Sequence, residues 1–227
     1  MSIHLDRASV LIAGTPVLND LSLEMNVRTT AVIGDNGSGK STFARLLAGL
    51  VATTTGTTRV LGLDPHAQAK ELRAKTAFIM SNPDAQILMP TVAEDVAFSL
   101  RPERLGASER DARVAHALAQ FELTSLADRS SHELSGGQKQ LLSLCGAFVR
   151  RPALVIADEP TAYLDARNAR TVTHHLLADR GHKLVVVTHD LHLAARCEAA
   201  VLLSEGRVAA VGPPAEVIAT YEDSLRC

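Results

Sequence analysis

Residues 34–42 carry the strongest chemical signal in the sequence. They read GDNGSGKST and fit the pattern G-x-x-x-x-G-K-[ST], in which a glycine-rich turn points its backbone N–H groups at phosphate oxygens. Lys40 adds a mobile positive charge for the β- and γ-phosphates, and the Ser41 hydroxyl is suited to a magnesium ion. The predicted nucleotide ligands are Gly34, Asn36, Gly37, Ser38, Gly39, Lys40, Ser41 and Thr42.

Two carboxylates, Asp158 and Glu159, end the apolar run 154–157. Burying two anions at the end of a strand is costly unless a cation or a reaction uses them. In a phosphate-loop enzyme Asp158 would act on Mg²⁺, and Glu159 would polarise the water that attacks the γ-phosphate. Alone, the pair fits a strand ended by a polar turn equally well. Together with residues 34–42 it predicts triphosphate hydrolysis.

A second candidate anion site is a Ser-Gly-Gly turn at the start of a predicted helix. The first turn of a helix presents unpaired backbone N–H groups, and a hydroxyl adds to them. An ordinary helix cap at Ser135 is the simpler alternative. The residues concerned are Ser135, Gly136, Gly137 and Gln138.

The predicted elements that position these groups form an α/β protein of one domain, 1–227, with a helical insert at about 82–151. Strands are predicted at 3–10, 17–25, 30–33, 57–61, 75–80, 154–157, 183–188, 199–203 and 207–211. Helices are predicted at 92–100, 108–121 and 136–150. The second of these is expected to begin with a capping box formed by Ser108 and Asp111.

Composition argues against several classes of protein. Lys and Arg number 23 against 25 Asp and Glu, and no basic run is present, so a nucleic-acid partner is not expected. Cys145, Cys197 and Cys227 are odd in number and far apart, which favours a reducing cytosol over a disulfide framework or a zinc site. The sequence shows neither a signal peptide nor a membrane-spanning run, so any membrane link must come through a partner.

The order of these motifs, over almost the whole chain, resembles that of the ABC ATPases, the nucleotide-binding subunits of ABC transporters. In that family the LSGGQ motif, here at 134–138, completes the ATP site of an opposing subunit. The resemblance implies a phosphate-loop core with an antiparallel β-subdomain and a helical subdomain, ATP and Mg²⁺ as ligands, and a homodimer or a heterodimer with a related ATPase. It also implies that Asp165 crosses the dimer interface and that His189 contacts the γ-phosphate.

Two stretches of the insert, NPDAQI at 82–87 and VAEDVAF at 92–98, resemble the ATPases of energy-coupling-factor (ECF) importers of vitamins and metal ions. This implies a transmembrane coupling subunit and a substrate-binding membrane subunit as partners, with the chain peripheral on the cytoplasmic face of the cell membrane. The short end near Cys227 is more similar to biotin-type members than to longer relatives. Biotin, another vitamin, cobalt and nickel stay open as solutes.

The chain departs from the family pattern at two places. Most relatives have an aromatic residue that stacks on adenine, yet residues 1–42 contain none and 10–12 are Val, Leu and Ile, so we expect poor discrimination among purine bases. Ser81 stands where the glutamine of the Q-loop, the segment after the strand, is expected. Whether Gln86 replaces it is left open. We expect 82–96 to dock a cytoplasmic helix of the membrane partner, with Gln86 on its face.

Two other functions fit parts of the sequence. A soluble ABC-type ATPase of DNA repair or translation keeps the same site, but such proteins usually carry a long coiled-coil insert or a second cassette. A regulatory module that closes on ATP without turnover would be expected to lack Glu159. The sequence therefore favours an ATP-hydrolysing transporter subunit.

Overall fold

The computed structural model describes residues 2–226, which contain nine strands and eight α-helices. The strands are β1 (Ile3–Ile12), β2 (Thr15–Met25), β3 (Thr29–Ile33), β4 (Thr55–Val60), β5 (Thr76–Ile79), β6 (Leu154–Asp158), β7 (Lys183–Val187), β8 (Ala199–Ser204) and β9 (Arg207–Gly212). The helices are α1 (Lys40–Leu47), α2 (Ala69–Lys75), α3 (Val92–Ser99), α4 (Ala107–Gln120), α5 (Gly136–Phe148), α6 (Ala166–Leu177), α7 (Leu191–Ala194) and α8 (Pro214–Ser224). None of these helices is long and apolar enough to cross a membrane.

The chain divides into two compact units. The first contains the described residues up to Phe78, Ala153–Glu159 and the described residues from Gly181 onward. The second contains Ile79–Pro152 and Pro160–Arg180, so it includes α6 as well as α3, α4 and α5. The boundaries expected from the sequence, about 82–151, did not include α6.

The first unit is built on two sheets. A three-stranded antiparallel sheet has the order β2-β1-β4, and a six-stranded sheet has the order β5-β6-β7-β3-β8-β9. In the larger sheet β3 pairs in parallel with β7 and β8, whereas β9 is antiparallel to β8. Every residue of β3 and β6 is buried, as expected for parallel strands covered on both faces. The strand ends that carry the predicted chemistry therefore lie on a rigid support.

Helix α1 fixes the loop that precedes it through its apolar face. Phe43, Leu46 and Leu47 are almost completely buried in the core of the first unit. Burial of side chains of this size contributes about 1.5–3 kcal/mol each relative to exposure. The first turn of α1 contains Lys40 and Ser41, and the buried apolar face of the helix holds this turn in place.

The second unit is helical, which together with the two sheets confirms the predicted α/β fold class with an antiparallel β-part and a helical part. Helix α3 opens with a capping box of Thr91 and Glu94 that the sequence prediction missed. The capping box predicted at Ser108 and Asp111 is wrong. Helix α4 begins at Ala107 after Gly106, so Ser108 lies inside the first turn rather than at the extended position a cap requires.

The described cysteines, Cys145 and Cys197, are buried thiols, and burial raises the pKa of each to about 12. They are therefore protonated at neutral pH. Cys227 lies outside the described residues.

Candidate functional site

The glycine-rich loop between β3 and α1 is packed closely against the turn between β8 and β9. Gly34 has φ 142°, and a side chain there would overlap the carbonyl oxygen of Leu203. The N–H of Ser38 donates to the carbonyl of Asp35 at 3.1 Å, and the N–H of Gly206 donates to the carbonyl of Ser38 at 3.1 Å. Only glycine at position 34 allows this close approach, which curls the loop ahead of α1.

Lys40 is folded back into the loop. Its Nζ donates to the carbonyl oxygens of Gly34 at 2.7 Å and of Asp35 at 2.8 Å. Burial lowers the pKa of Lys40, while Glu159, Asp35 and Asp158 act to raise it. The ammonium is thus held by neutral acceptors, which terminal phosphate oxygens can replace with charge-assisted bonds.

Ser38 provides a test of whether the loop fits a phosphate group. Its Oγ is buried and makes no hydrogen bond within the described part of the chain. Buried hydroxyls are normally hydrogen-bonded, so an isolated one in a glycine-rich loop at a helix N-terminus fits an anionic ligand.

Ser41 and Asp158 are brought together as the sequence predicts. The Oγ of Ser41 donates to Oδ1 of Asp158 at 3.0 Å. Burial raises the pKa of Asp158, with a further rise from Glu159, whereas the Ser41 hydrogen bond acts to lower it. Two hard oxygen donors, one of them a desolvated carboxylate, form a suitable donor set for Mg²⁺.

Glu159 and His189 also meet. Oε2 of Glu159 lies 2.7 Å from Nδ1 of His189 and accepts its backbone N–H at 3.2 Å. Glu159 has φ 51°, a left-handed conformation that is strained for a glutamate, and its own N–H donates to the carbonyl of Val187 at 2.8 Å. The strained backbone, fixed by β7, directs the carboxylate to the end of the parallel sheet.

The second unit contains the Ser-Gly-Gly turn. Ser135 caps α5, with its Oγ accepting the N–H of Gln138 at 3.3 Å, while Oε1 of Gln138 accepts the N–H of Ser135 at 2.9 Å. Gly136 has open space where a side chain would lie, but a side chain at Gly137 would overlap Asn168 of α6. Within the subunit Ser135 therefore acts as an ordinary helix cap, the simpler alternative given by the sequence. The N–H groups of Gly136 and Gly137 begin the helix.

Asp165 lies near this turn in the same unit. Its Oδ1 caps α6 by accepting the N–H groups of Arg167 at 2.9 Å and Asn168 at 2.8 Å, and its Oδ2 accepts Nδ2 of Asn168 at 2.8 Å. These hydrogen bonds, that of the Asn168 backbone first, lower the pKa of Asp165. The preceding Tyr163 is 99% exposed and has φ 63°. No sequence motif indicated that Asn168 joins Asp165 to Gly137.

Gln86 turns toward the end of β5. Its Oε1 accepts the N–H of Met80 at 2.7 Å, and the side chain is only partly exposed. The amide oxygen is thus used within the loop that contains Ser81. Its expected place on a docking face stays a prediction.

An apolar groove of about 660 Å³, which the sequence did not indicate, runs between α3 and α4 in the second unit. Charged side chains of both signs, among them Glu94, Arg101 and Asp111, line its rim. The apolar lining includes Met89, Ala93, Ala97, Phe98, Val114 and Leu118.

The side chain of Tyr221 contacts the phosphate loop, which the sequence did not indicate. Tyr221 of α8 donates its hydroxyl to Oδ1 of Asp35 at 3.0 Å, and burial together with this bond raises the pKa of Tyr221. At the end of β1, Val10 is buried, whereas Leu11 and Ile12 are 43% and 41% exposed. The apolar segment predicted to replace the usual aromatic residue therefore presents two side chains to solvent.

Known proteins resemble this chain along its length. The family described as ABC transporter matches residues 18–162. The biotin transport ATP-binding protein BioM of Rhizobium etli is 41% identical over 223 residues, 98% of this chain and 99% of the relative. The energy-coupling factor transporter ATP-binding protein EcfA1 of Lacticaseibacillus paracasei is 38% identical over 200 residues, 86% of this chain and 72% of the relative. The structure of cbiO1 from Clostridium perfringens, part of the ABC transporter complex cbiONQ, has a TM-score of 0.86 at 28% identity and covers 99% of this chain and 93% of its own.

The fold and the phosphate loop, with its paired carboxylates, define an ATP-binding hydrolase. The chain belongs to the ABC transporter family, as an ATP-binding subunit in which hydrolysis is coupled to transport. ABC ATPases dimerise and work with transmembrane subunits. The resemblance to ECF importer ATPases found in the sequence is confirmed.

Proposed function

We propose that this chain powers an ECF-type importer from the cytoplasmic face of the membrane, bound to a transmembrane coupling subunit that holds a substrate-binding membrane subunit. Biotin is the solute we favour, because the match to a biotin transport ATP-binding protein runs from end to end. The structural observation that carries the proposal is the apolar groove between α3 and α4, a surface suited to a partner helix.

Hydrolysis is assigned to the residues of the first unit. On binding, the triphosphate draws Lys40 from the carbonyls of Gly34 and Asp35. Because Oε2 of Glu159 is engaged by His189, the carboxylate is oriented to receive a proton from the attacking water. Mg²⁺, when bound through Ser41 and Asp158, would neutralise charge on the phosphates. We assign contact with the γ-phosphate to His189, whose side chain is 69% exposed and therefore accessible to a ligand.

We call the Ser-Gly-Gly turn at the start of α5 the signature turn. We propose that it binds the ATP of an opposing ATPase, either a second copy or a related chain. Ser135, Gly136, Gly137 and Gln138 begin α5 with N–H groups at the positive end of its dipole. Asp165, already fixed to Asn168, would lie at the same interface. Closure of this dimer around ATP and its reopening after hydrolysis would move the membrane partner.

The groove between α3 and α4 is proposed to receive a cytoplasmic helix of the coupling subunit. Its apolar floor suits an amphipathic helix, and its mixed charges suit a polar rim. Leu88, which is 66% exposed, extends the apolar surface along the segment 82–96. Gln86 contributes to this surface with the part of its side chain that remains accessible.

Co-purification from native membranes in mild detergent, followed by identification of the attached subunits, tests the proposal. Ala115→Arg, on the groove side of α4, should abolish the association, whereas Ala112→Arg is a matched control because Ala112 is exposed on the same helix outside the groove. Uptake of labelled biotin, cobalt and nickel by cells with and without the chain then identifies the solute. Recovery of the chain without any membrane protein would favour the soluble alternative.

A further inference from the structure

The segment after β5 is tied to the first turns of α5 by the residues that directly follow the signature. Nζ of Lys139 lies 2.6 Å from Oδ1 of Asp84, and the Lys139 side chain is only 17% exposed. Nε2 of Gln140, a residue that is 1% exposed, donates to the carbonyl of Met80 at 3.4 Å. We call residues 80–87 the docking loop. Two adjacent side chains of α5 thus hold two points of this loop.

The docking loop is also braced internally. Gln86 accepts the N–H of Met80 at 2.7 Å, so the two main-chain polar groups of Met80 are bonded to two different glutamines. Asn82 caps the short 3₁₀ turn Pro83–Ala85 by accepting the N–H of Asp84 at 3.0 Å. These hydrogen bonds make the loop rigid. A partner that displaces it should therefore move the loop as a unit rather than deform it.

Three consecutive residues of α5 connect this loop to the signature turn. Gln138 bonds the N–H of Ser135, Lys139 bonds Asp84, and Gln140 bonds Met80. The Gln138 contact lies within the first turn of α5, and the Lys139 and Gln140 contacts join the following residues of the helix to the loop. Any displacement of the loop would change the direction of the N–H groups that open α5.

Coupling through a Q-loop glutamine, which the family resemblance would imply, is disfavoured in this chain because Ser81 occupies that position. A serine side chain is too short to reach both a metal site and a helical partner, as the Q-loop glutamine it replaces is expected to do. The side chains that join the docking loop to α5 are instead those of Lys139 and Gln140.

We propose that Lys139 and Gln140 are positioning residues that couple the docking loop to the signature turn, so that partner docking acts on the ATP bound by the opposing ATPase. The linkage rests on the proposed function for its partner and its dimer. It adds that the Asp84–Lys139 pair and the Met80 peptide carry the coupling.

Hydrogen exchange of the free ATPase tests the linkage without any membrane partner. Asp84→Asn and Lys139→Met should each accelerate exchange of the amides at 135–140 by about two- to fivefold, the range that a partly exposed ion pair allows. The swap of Asp84→Lys with Lys139→Asp should restore exchange to about the wild-type rate. Lys75→Met is the control, because it breaks a 2.9 Å ion pair with Glu71 within α2. Wild-type exchange at 135–140 in Asp84→Asn would overturn the linkage.

The assembled transporter supplies the functional readout. Asp84→Asn should leave ATP affinity of the dilute subunit within about twofold of wild type, because Lys40 and its loop are unchanged, while lowering uptake per ATP hydrolysed. The charge swap should restore that ratio. Failure of the wild-type chain to co-purify with membrane subunits would refute the proposed function. Normal co-purification with a swap that restores neither exchange nor uptake would refute the linkage alone.

Discussion

Replacement of Glu159 by glutamine removes the candidate base with little change in shape. In the wild type Oε2 accepts the N–H of His189 at 3.2 Å and lies 2.7 Å from its Nδ1. The glutamine oxygen can keep these contacts, so the fold should persist, but the carboxylate that accepts the proton is lost. General-base catalysis contributes about 10²–10⁴-fold. Hydrolysis should slow by that factor, equivalent to about 2.7–5.4 kcal/mol in the activation barrier.

ATP binding by Glu159→Gln should survive. The substitution removes a negative charge near the triphosphate, and although Glu159 acts to raise the pKa of Lys40, the phosphates themselves favour the charged ammonium. Affinity should therefore be equal to or higher than that of the wild type. Since bound ATP is not consumed, a closed dimer should accumulate.

Phosphate release and size-exclusion chromatography in ATP measure these two effects. Glu222→Gln is a matched loss of charge on the exposed part of α8 and should leave turnover within about twofold of wild type. Thermal unfolding of both variants checks that the fold is retained. Turnover of Glu159→Gln within about threefold of wild type would refute the role of this carboxylate.

Three other predictions concern the nucleotide site. Lys40→Ala should weaken ATP binding by about tenfold or more, since a charge-assisted hydrogen bond is worth about 1.5–3 kcal/mol; unchanged affinity in a titration would contradict the assignment. Burial raises the pKa of Asp158, so its stabilising effect is present at low pH and lost as pH rises through the folded pKa. Asp158→Asn should therefore raise the Tm of the Mg²⁺- and nucleotide-free protein more at pH 8 than at acid pH near the ordinary pKa of an aspartate, while lowering ATPase activity, and an equal or lower Tm at pH 8 would be evidence against this. With Leu11 and Ile12 in place of an aromatic residue, ATP and GTP should compete within about a hundredfold, roughly 2.7 kcal/mol, whereas a larger preference would reveal a base-reading group.

The sequence was sufficient where chemistry depends on a local segment. The phosphate loop, the two carboxylates at the end of β6 and the signature turn are each contiguous, so residue type and spacing define them without a fold. The contacts that these segments make with neighbouring strand ends could be predicted only in part. Glu159 and His189 end neighbouring parallel strands, β6 and β7, and strand ends of one sheet must meet. Their hydrogen bond depends on the left-handed backbone of Glu159, which no local propensity indicates.

Contacts between distant segments account for what was missed. Asn168 packs against Gly137, and Tyr221 reaches Asp35 across 186 positions of sequence, so neither contact has a periodic or motif signal. The error at Ser108 has a different cause. Its spacing to Asp111 fits a capping box, but the N-cap of the packed helix is Gly106, two residues earlier, and tertiary contacts decide between two starts that differ little in local energy.

The chain has two tyrosines and no tryptophan, which gives it an intrinsic optical probe at two informative positions. Tyr221 donates to a carboxylate of the phosphate loop, a contact that quenches phenol fluorescence, and Tyr163 is fully exposed just before Asp165. A rearrangement of the loop would change the first emission, and burial at the proposed subunit interface would change the second. With Tyr221→Phe or Tyr163→Phe, each signal is isolated, so nucleotide binding and subunit association can be timed separately by ultraviolet stopped-flow without attaching a dye.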